Sequence, residues 1–319
     1  MQGLSAVFEK ELRDHFTSYR FVILFALIAM ISFITSYMAG IQMSENLEGL
    51  SKTKFPFLLL FSTPGAMFSM VSFVAFFGPL IGLILGFDSI NRERAHGTLI
   101  KVVSQPIYRD AVINGKFLAG VTTIIVMLIS ILLVICGFGL TIVGVVPGFH
   151  EILRLFIYLI ISIFYISFWL GISILFSIAF RSIATSALAS VALWIFLSFF
   201  VSLGADVVAN TVAPVDKRKQ NQSQTIITNI RIKETVSLFS PMVLYSEATA
   251  TIIDPMRKTT SSIILMGPVE KLLASRFQNP LSLGQSIIVV FPHITALIAI
   301  TLICFAISYT LFILQEIRT

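Results

Sequence analysis

Six long stretches without a charged residue constrain this chain of 319 residues more than any other feature. Only 12% of its residues are charged, against about 25% in a typical soluble domain, and the charges crowd between the stretches. About 20 apolar residues cross a membrane, and a charge at its centre costs about 2.5–3.5 kcal/mol, so each stretch predicts one span. The predicted spans lie at Phe21–Ile41, within Phe55–Phe87, at Phe117–Phe149, Leu155–Phe180 and Ser182–Ala205, and within Ser286–Leu314.

Breaks in the apolar pattern refine these boundaries. Pro64 and Gly65 place the start of the second helix near Ala66, and Asp88 marks its end. The fourth and fifth stretches are divided only by Arg181 and together exceed one span, so the chain must reverse there. The predicted fold class is therefore an all-α integral membrane protein with six transmembrane helices.

Basic residues in the short loops predict the orientation of these spans. With the N-terminus inside, ten Lys and Arg residues fall in cytoplasmic segments and three in the opposite short loops. The ten are Lys10, Arg13, Arg20, Arg92, Arg94, Lys101, Arg109, Lys116, Arg181 and Arg318. We expect a multi-pass protein of the cell (plasma) membrane with both termini in the cytoplasm. The net charge of +6 fits basic cytoplasmic loops better than nucleic-acid binding.

The chain divides into four predicted regions. Residues 1–20 form an amphipathic interfacial helix, 21–205 contain the first five spans, 206–285 form an extracytoplasmic segment, and 286–319 contain the sixth span and a short cytoplasmic C-terminus. The extracytoplasmic segment is polar at its start and is interrupted by Ser-Pro and Asp-Pro pairs. We expect it to form either short helices on the membrane surface or a small cap domain.

The N-terminal region has the pattern of a helix that lies in the plane of the membrane interface. Apolar residues recur every three or four positions, the charged residues fall on the other side, and Glu11 lies at the boundary. The apolar positions are Leu4, Phe8, Leu12, Phe16 and Tyr19. Two interpretations remain: the helix only anchors the first span, or it is an elbow helix that also contacts a cytoplasmic partner.

The cytoplasmic loop 88–116 carries the most specific pattern in the chain. It is much longer than the usual connection of 2–8 residues between helices. Its start is charged, which predicts a polar helical end just below the membrane; the charged residues are Asp88, Arg92, Glu93 and Arg94. An apolar face suited to a groove on a partner protein follows, formed by Thr98, Leu99, Val102 and Val103.

This loop resembles the ABC-2 type transporter permeases, including their NosY-like branch. The family pattern is an Asp after the second span, then Glu-Arg/Lys-x-x-Gly-Thr-Leu, a Ser-x-Pro, and Gly-Lys before the third span. The matching residues are Asp88, Glu93, Arg94, Gly97, Thr98, Leu99, Ser104, Pro106, Gly115 and Lys116. Lys10-Glu11-Leu12 is also similar to the Lys-Glu-Leu start of the family. The resemblance covers residues 1–205 and the last span but not 206–285, so it indicates no substrate.

The resemblance implies a half-transporter of the ABC-2, or type V exporter-like, architecture. Two such subunits, identical or related, would pair with two copies of a cytoplasmic ABC ATPase subunit and form the pathway for ATP-driven export. Residues 93–106 would be the coupling helix that rests on the ATPase, with Glu93 and Arg94 fixing its position through charge-assisted hydrogen bonds. The implied ATPase-coupling residues are Asp88, Arg92, Glu93, Arg94, Gly97, Thr98, Leu99, Pro106, Gly115 and Lys116.

Motifs for chemistry are missing from the sequence. Gly115-Lys116 does not continue as a phosphate-binding loop, because Phe117 follows it and Asp110 stands where the first glycine belongs. We therefore expect no enzyme activity, catalytic residue or cofactor in this chain, with ATP and magnesium bound by the partner subunit. The four histidines lie far apart along the sequence, which predicts no metal site; they are His15, His96, His150 and His293.

Two other functions remain as alternatives. An ion-coupled secondary transporter or channel usually keeps charged residues within its spans, and the predicted spans contain none, with His293 near one edge. A membrane scaffold with an external binding segment would depend on residues 206–285, and a stable, ligand-binding fragment of that segment would support it.

Overall fold

The computed structural model describes residues 2–45, 55, 57–62, 70–97, 108–214, 223–255 and 281–315. Within these ranges all regular secondary structure is helical. The helices are α1 (Gln2–Thr17), α2 (Tyr19–Glu45), α3 (Leu59–Ser62), α4 (Met70–Gly86), α5 (Asn91–Ala95), α6 (Arg109–Phe138), α7 (Phe149–Ala179), α8 (Ile183–Ile195), α9 (Val201–Val212), α10 (Ser223–Ser237), α11 (Pro241–Ile253) and α12 (Leu283–Leu314).

Six helical segments of the described chain are long and apolar enough to cross a membrane, which confirms the all-helical, six-span prediction. A π-helical turn, Phe196–Phe200, joins α8 and α9 into one continuous span, and a second, Gly139–Val143, extends α6. In chain order, the spans are α2, α4, α6, α7, the joined α8 and α9, and α12.

The bundle has two ends, which we name by their residues. The α1 end contains α1, α5, the turn at Arg181 between α7 and α8, and the last residues of α12. The opposite end contains the start of α7 and the start of α12. Contacts at the α1 end join distant parts of the chain, since Arg94 Nη2 donates a hydrogen bond of 2.8 Å to the side chain of Gln315.

Helices α4 and α7 form the centre of the bundle and are its most buried spans. Gly78, Gly82 and Gly86 recur every four residues on one face of α4, a spacing that lets membrane helices approach closely. A Cβ atom at Gly82 would lie only 2.6 Å from the backbone oxygen of Ile166 and 2.8 Å from the backbone nitrogen of Leu170. The glycines therefore bring the two backbones into direct contact.

The fourth span begins six residues earlier than the sequence predicted and includes two charged residues. Glu151 accepts hydrogen bonds from the backbone amides of Phe57 (2.9 Å) and Gly148 (2.7 Å). Arg154 is fully buried and donates to the carbonyl oxygens of Ile252 (2.9 Å) and Leu281 (2.8 Å). Hydrogen bonds to backbone groups and, for Arg154, to the hydroxyl of Ser286 offset much of the cost of burying these charges.

A helical hairpin of α10 and α11 follows the fifth span, with an angle of 111° between the two helices. Its first arm packs along α9, where Lys233 pairs with Asp206 at 2.7 Å. Its second arm ends beside Arg154, which binds the carbonyl oxygen of Ile252. Since Asp206 and Arg154 both lie toward the opposite end, the hairpin enters and leaves the bundle on one side. It is re-entrant and does not form a seventh span.

The second arm of the hairpin is buried deep between the spans. The ring of Tyr245 stacks on Tyr165 with a centroid distance of 4.3 Å, and its hydroxyl shares a hydrogen bond of 2.9 Å with Ser162. Tyr165 lies near the middle of α7, about 24 Å from its first residue at 1.5 Å per residue. The hairpin therefore reaches the middle of the bundle.

The buried position of α11 was not expected for the segment 206–285, whereas α10 is largely exposed. Residues 206–212 complete the fifth span, and α11 is neither a surface helix nor part of a cap domain. With 13 residues, α11 is too short to span a membrane, so its composition gave no membrane signal. Its buried serine and threonine hydroxyls are satisfied within the helix, as where Thr249 donates to the carbonyl oxygen of Tyr245 at 2.7 Å.

The close approach of α4 and α7 generates a first prediction. Gly82→Ala should lower the melting temperature in detergent, because its methyl group forces the two backbones apart at a cost of about 1–3 kcal/mol. Gly137→Ala on α6 is the matched control, since nothing lies within 4 Å of a Cβ atom there. Equal melting temperatures for the two variants, measured by dye-based thermal unfolding, would contradict the packing described.

Candidate functional site

Helix α1 packs against the first turns of α6, at the α1 end of the bundle. Val7 and Glu11 are its buried side chains. A Cβ atom at Gly115 would lie 2.8 Å from Cγ1 of Val7 and 3.3 Å from the backbone nitrogen of Phe8. Glycine at position 115 therefore allows the two helices to touch, and Lys116, the next residue, is carried to the polar side of the contact.

Four charged side chains meet where α1, α5 and α6 converge, and we call Lys10, Glu11, Glu93 and Lys116 the Lys–Glu cluster. Lys116 Nζ donates hydrogen bonds to Oε1 of Glu11 (2.8 Å) and Oε1 of Glu93 (3.0 Å). Lys10 Nζ donates to the same two oxygens at 2.8 and 2.9 Å. Two positive and two negative charges thus neutralise each other across three helices.

The two lysines of the Lys–Glu cluster differ in their exposure to water. The Lys116 side chain is only 3% exposed, whereas that of Lys10 is 50% exposed. Burial disfavours the charged form of Glu11, but the charge of Lys116 and hydrogen bonds from both lysines prevail and lower the pKa of this carboxyl to about 2. Burial also disfavours charged Lys10, yet its bonds to Glu11 and Glu93 raise its pKa. Lys10 and Glu11 are therefore held in their ionised forms by their neighbours in the cluster.

A second ion pair connects the first span to the turn before α5. Arg20 Nη1 donates a hydrogen bond of 2.7 Å to Oδ2 of Asp88, and its guanidinium lies 5.4 Å from the centroid of the Phe87 ring. Asp88 is buried, so this pair is largely withdrawn from water on its acidic side. The start of the first span and the end of the second are thereby joined.

The short helix α5 is fixed at both of its ends. Ser177 Oγ on α7 accepts hydrogen bonds from the backbone amides of Ile90 (3.0 Å) and Asn91 (3.1 Å), which begin the helix. Gly97 ends it with a φ of +65°, a left-handed conformation that favours glycine over residues with a side chain. Arg94 reaches from its middle to the side chain of Gln315.

A cleft of about 510 Å³ opens between α1, the start of α2 and α5. Its lining is polar and carries charges of both signs. The lining residues are Lys10, Asp14, Thr17, Ser18, Tyr19, Arg20, Arg92, Glu93 and His96.

The structure brings most of the predicted coupling residues together. Asp88, Glu93, Arg94 and Lys116 form intramolecular ion pairs or hydrogen bonds, and Gly115 contacts α1. Arg92 and Gly97 are exposed on the surface of the α5 region. Three predicted residues lie outside the described residues: Thr98, Leu99 and Pro106.

The predicted residues of the interfacial helix have two different environments. Phe8 and Leu12 are half-buried, and Phe16 is exposed. Glu11, expected at the boundary of the polar face, is instead buried in the Lys–Glu cluster. Sequence analysis did not assign Lys10, Arg20 or Gln315 to the site, and only the Lys-Glu-Leu match at positions 10–12 could have indicated the first of them.

The fold and this site define a multi-pass helical membrane protein in which residues 88–97, after the second span, are bonded to α1, α2, α6, α7 and the end of α12. The sequence profile of the family described as ABC-2 family transporter protein matches residues 5–316. The chain therefore belongs to the ABC-2 transporter family. A member of this family is a transport component and not itself an enzyme.

Two curated relatives share part of the sequence. A protein named "Probable ABC transporter permease protein NosY" from Pseudomonas aeruginosa is 36% identical over 89 residues, which are 27% of this chain and 30% of that protein. A protein of the same name from Stutzerimonas stutzeri is 36% identical over 78 residues, 24% of this chain and 26% of that protein. The matched segments thus span less than a third of the length of either relative.

The difference in burial within the Lys–Glu cluster generates a second prediction. Lys116→Met leaves two buried carboxylates without their buried partner, which should cost about 3–5 kcal/mol. Lys10→Met removes equally short contacts to the same oxygens, but its half-exposed charge is screened by water, so its cost should be about 0–1 kcal/mol. Thermal unfolding of the two variants in detergent measures the difference.

The double variant Lys116→Met/Glu93→Gln tests whether the lower stability of Lys116→Met comes from the unbalanced negative charges. Because it removes one of the two carboxylates left unbalanced, it should be more stable than Lys116→Met alone. A double variant that is less stable than the single one, or a Lys10→Met variant as unstable as Lys116→Met, would contradict the electrostatic account of the cluster.

Proposed function

We propose that this chain is the membrane-spanning permease subunit of an ABC-2 type exporter that is driven by a separate cytoplasmic ATPase subunit. The observation that carries the proposal is the meeting of two residues of the family pattern, Glu93 and Lys116, in one buried cluster. This contact joins the proposed coupling segment to the third span. The pairing of two permease copies, identical or related, belongs to the same proposal.

The connections of α5 support a mechanical role. The region from Asp88 to Gly97 is bonded to the first span through Arg20, to the third through Lys116, to the fourth through Ser177 and to the end of the sixth through Gln315. A force applied to this region therefore acts on four spans at once. An element bonded to four spans can transmit a rigid-body motion, in which the helices tilt without losing their internal packing.

The exposed side of the same region provides a docking surface for the ATPase. Arg92, Ala95, His96 and Gly97 face away from the bundle, while Asn91 and Glu93 face into it. Charged and polar groups at such a rim steer association and fix the orientation of a partner. The cleft beside them extends this surface toward α1 and the first span.

The charge distribution supports a cytoplasmic location for the α1 end, in the cell membrane. Of the ten basic residues counted on the inner side, the eight that the structure describes lie at that end, and positively charged loops are retained in the cytoplasm during insertion. ATP and magnesium would then bind to the partner ATPase, because this chain contains no phosphate-binding loop.

The proposal predicts the behaviour of two variants of the coupling region. Glu93→Ala removes the contact between α5 and α6, and Gly97→Pro cannot adopt the observed φ of +65°. Both should remain in the membrane and bind the ATPase while losing stimulation of ATP hydrolysis. Tagged protein is purified in gentle detergent with its co-expressed ATPase, and hydrolysis by the eluate is measured.

Lys233→Ala serves as the matched control, since it also breaks an ion pair but lies on α10, away from the α1 end. It should retain wild-type stimulation. Wild-type stimulation in Glu93→Ala and Gly97→Pro would remove the coupling assignment. A pure oligomer of this chain without any ATPase, under conditions that preserve known complexes, would contradict the proposed function as a whole.

A further inference from the structure

One pair of ionisable side chains joins the re-entrant hairpin to the sixth span. Nε2 of His293 on α12 lies 3.0 Å from Oε2 of Glu247 on α11. The two side chains are 12% and 8% exposed. His293 lies about 15 Å along α12 from its first residue, at 1.5 Å per residue. Ionisable groups at such depth are costly and are generally retained for a function.

The second nitrogen of the histidine gives the pair an unused proton position. Within the described residues, Nδ1 of His293 is buried and has no hydrogen-bond partner. A neutral ring that donates from Nε2 to Glu247 presents a lone pair at Nδ1. A proton bound there turns a hydrogen bond between a neutral ring and a carboxylate into one between an imidazolium and a carboxylate, so that an opposite charge at 3.0 Å strengthens the contact. The new N–H group has no acceptor in the described chain, which offsets part of that gain and keeps proton binding reversible.

The surroundings contribute few other groups that titrate near neutral pH. The segments packed most closely on α11 are α3, α4, α7, α12 and the Phe196–Phe200 turn. Their ionisable residues other than His293 are His150, Glu151, Arg154, Tyr158, Tyr165, Cys304 and Tyr309. Helix α11 itself adds Tyr245 beside Glu247, and α6, which packs on α12, adds Arg109, Asp110, Lys116 and Cys136. Glu151 and Arg154 are held by backbone groups, and tyrosine stays neutral well above pH 8. Histidine is the residue type that commonly changes charge near neutral pH, and the other histidine of this set, His150, lies exposed in the first turn of α7.

The neighbouring residue makes the sixth span deformable at this level. Pro292 directly precedes His293 inside α12 and cannot donate the helical hydrogen bond of its position. Helices bend preferentially at such residues. A movement of the hairpin can therefore be accompanied by bending of α12 at the point where the two are joined.

We propose that Glu247 and His293 form a proton-binding site that holds the re-entrant hairpin against the sixth span. The proton comes from water at the opposite end of the bundle, resides on the imidazole, and returns to water when the pair separates. Holding is strongest when the site is protonated and weakens as pH rises. The site stands independently of the proposed transport function. The proposed orientation decides only one property of the site, namely that it responds to the external pH and not to the cytoplasmic pH.

Hydrogen–deuterium exchange of the full chain in lipid nanodiscs tests this site without any ATPase. Exchange is followed by mass spectrometry at pH 5.5, 6.5, 7.5 and 8.5, with labelling times scaled to the intrinsic rate at each pH. We expect the protection of Pro241–Ile253 to be about tenfold greater at pH 5.5 than at pH 8.5, since protonation adds an opposite charge to a hydrogen bond that the neutral ring already makes. Peptides of α6 provide the internal control and should show no such trend.

Two variants distinguish a proton site from a structural contact. His293→Gln keeps a hydrogen-bond donor but cannot titrate, so protection of the hairpin should remain and lose its dependence on pH. Glu247→Gln removes the anion, so protonation of His293 becomes unfavourable and the dependence should vanish or reverse. A flat profile in the wild type, or an unchanged wild-type profile in either variant, would overturn the proposal.

Discussion

The buried ammonium group of Lys116 is the interaction on which the α1 end of this protein depends. A lysine that is 3% exposed cannot be left unpaired, and two glutamates from different parts of the chain supply its counter-charges. One glutamate belongs to α1 and the other to α5, so satisfying this one charge fixes both helices against α6. Gly115 makes the arrangement possible because it lets α1 approach until Glu11 reaches the ammonium group.

At the opposite end, a buried charge is again satisfied by distant parts of the chain, here through backbone carbonyl groups instead of carboxylates. Arg154 is fully buried and fixes the exit of the hairpin and the start of the sixth span through carbonyl oxygens. The apolar interior between the two ends is held by close helix contact, with Gly82 placing α4 directly on the backbone of α7. Buried charges therefore define both ends of the bundle, and small residues define its middle.

The sequence predicted the spans well because the absence of charge over about 20 residues is a strong, local signal. It could not predict the partners of Lys116, since Glu11 lies 105 residues away and the contact depends on how the helices pack. The sequence did not predict the hairpin of α10 and α11, for a different reason. Its buried arm is 13 residues long and contains Glu247, so it resembled an irregular loop until α7 and α12 were seen to enclose it.

The central claim is that α1, α5 and α6 move as one unit, and spin labelling tests it most directly. Nitroxides replace Glu9 on α1 and Leu118 on α6, both exposed, in a background with Cys136 and Cys304 changed to alanine. Electron paramagnetic resonance then measures the label-to-label distance with and without ATP in the complex with the ATPase. A single narrow distance that ATP leaves unchanged, and that broadens in Lys116→Met, is the predicted result. A distance that shifts with ATP, or that Lys116→Met leaves unaltered, would contradict the account.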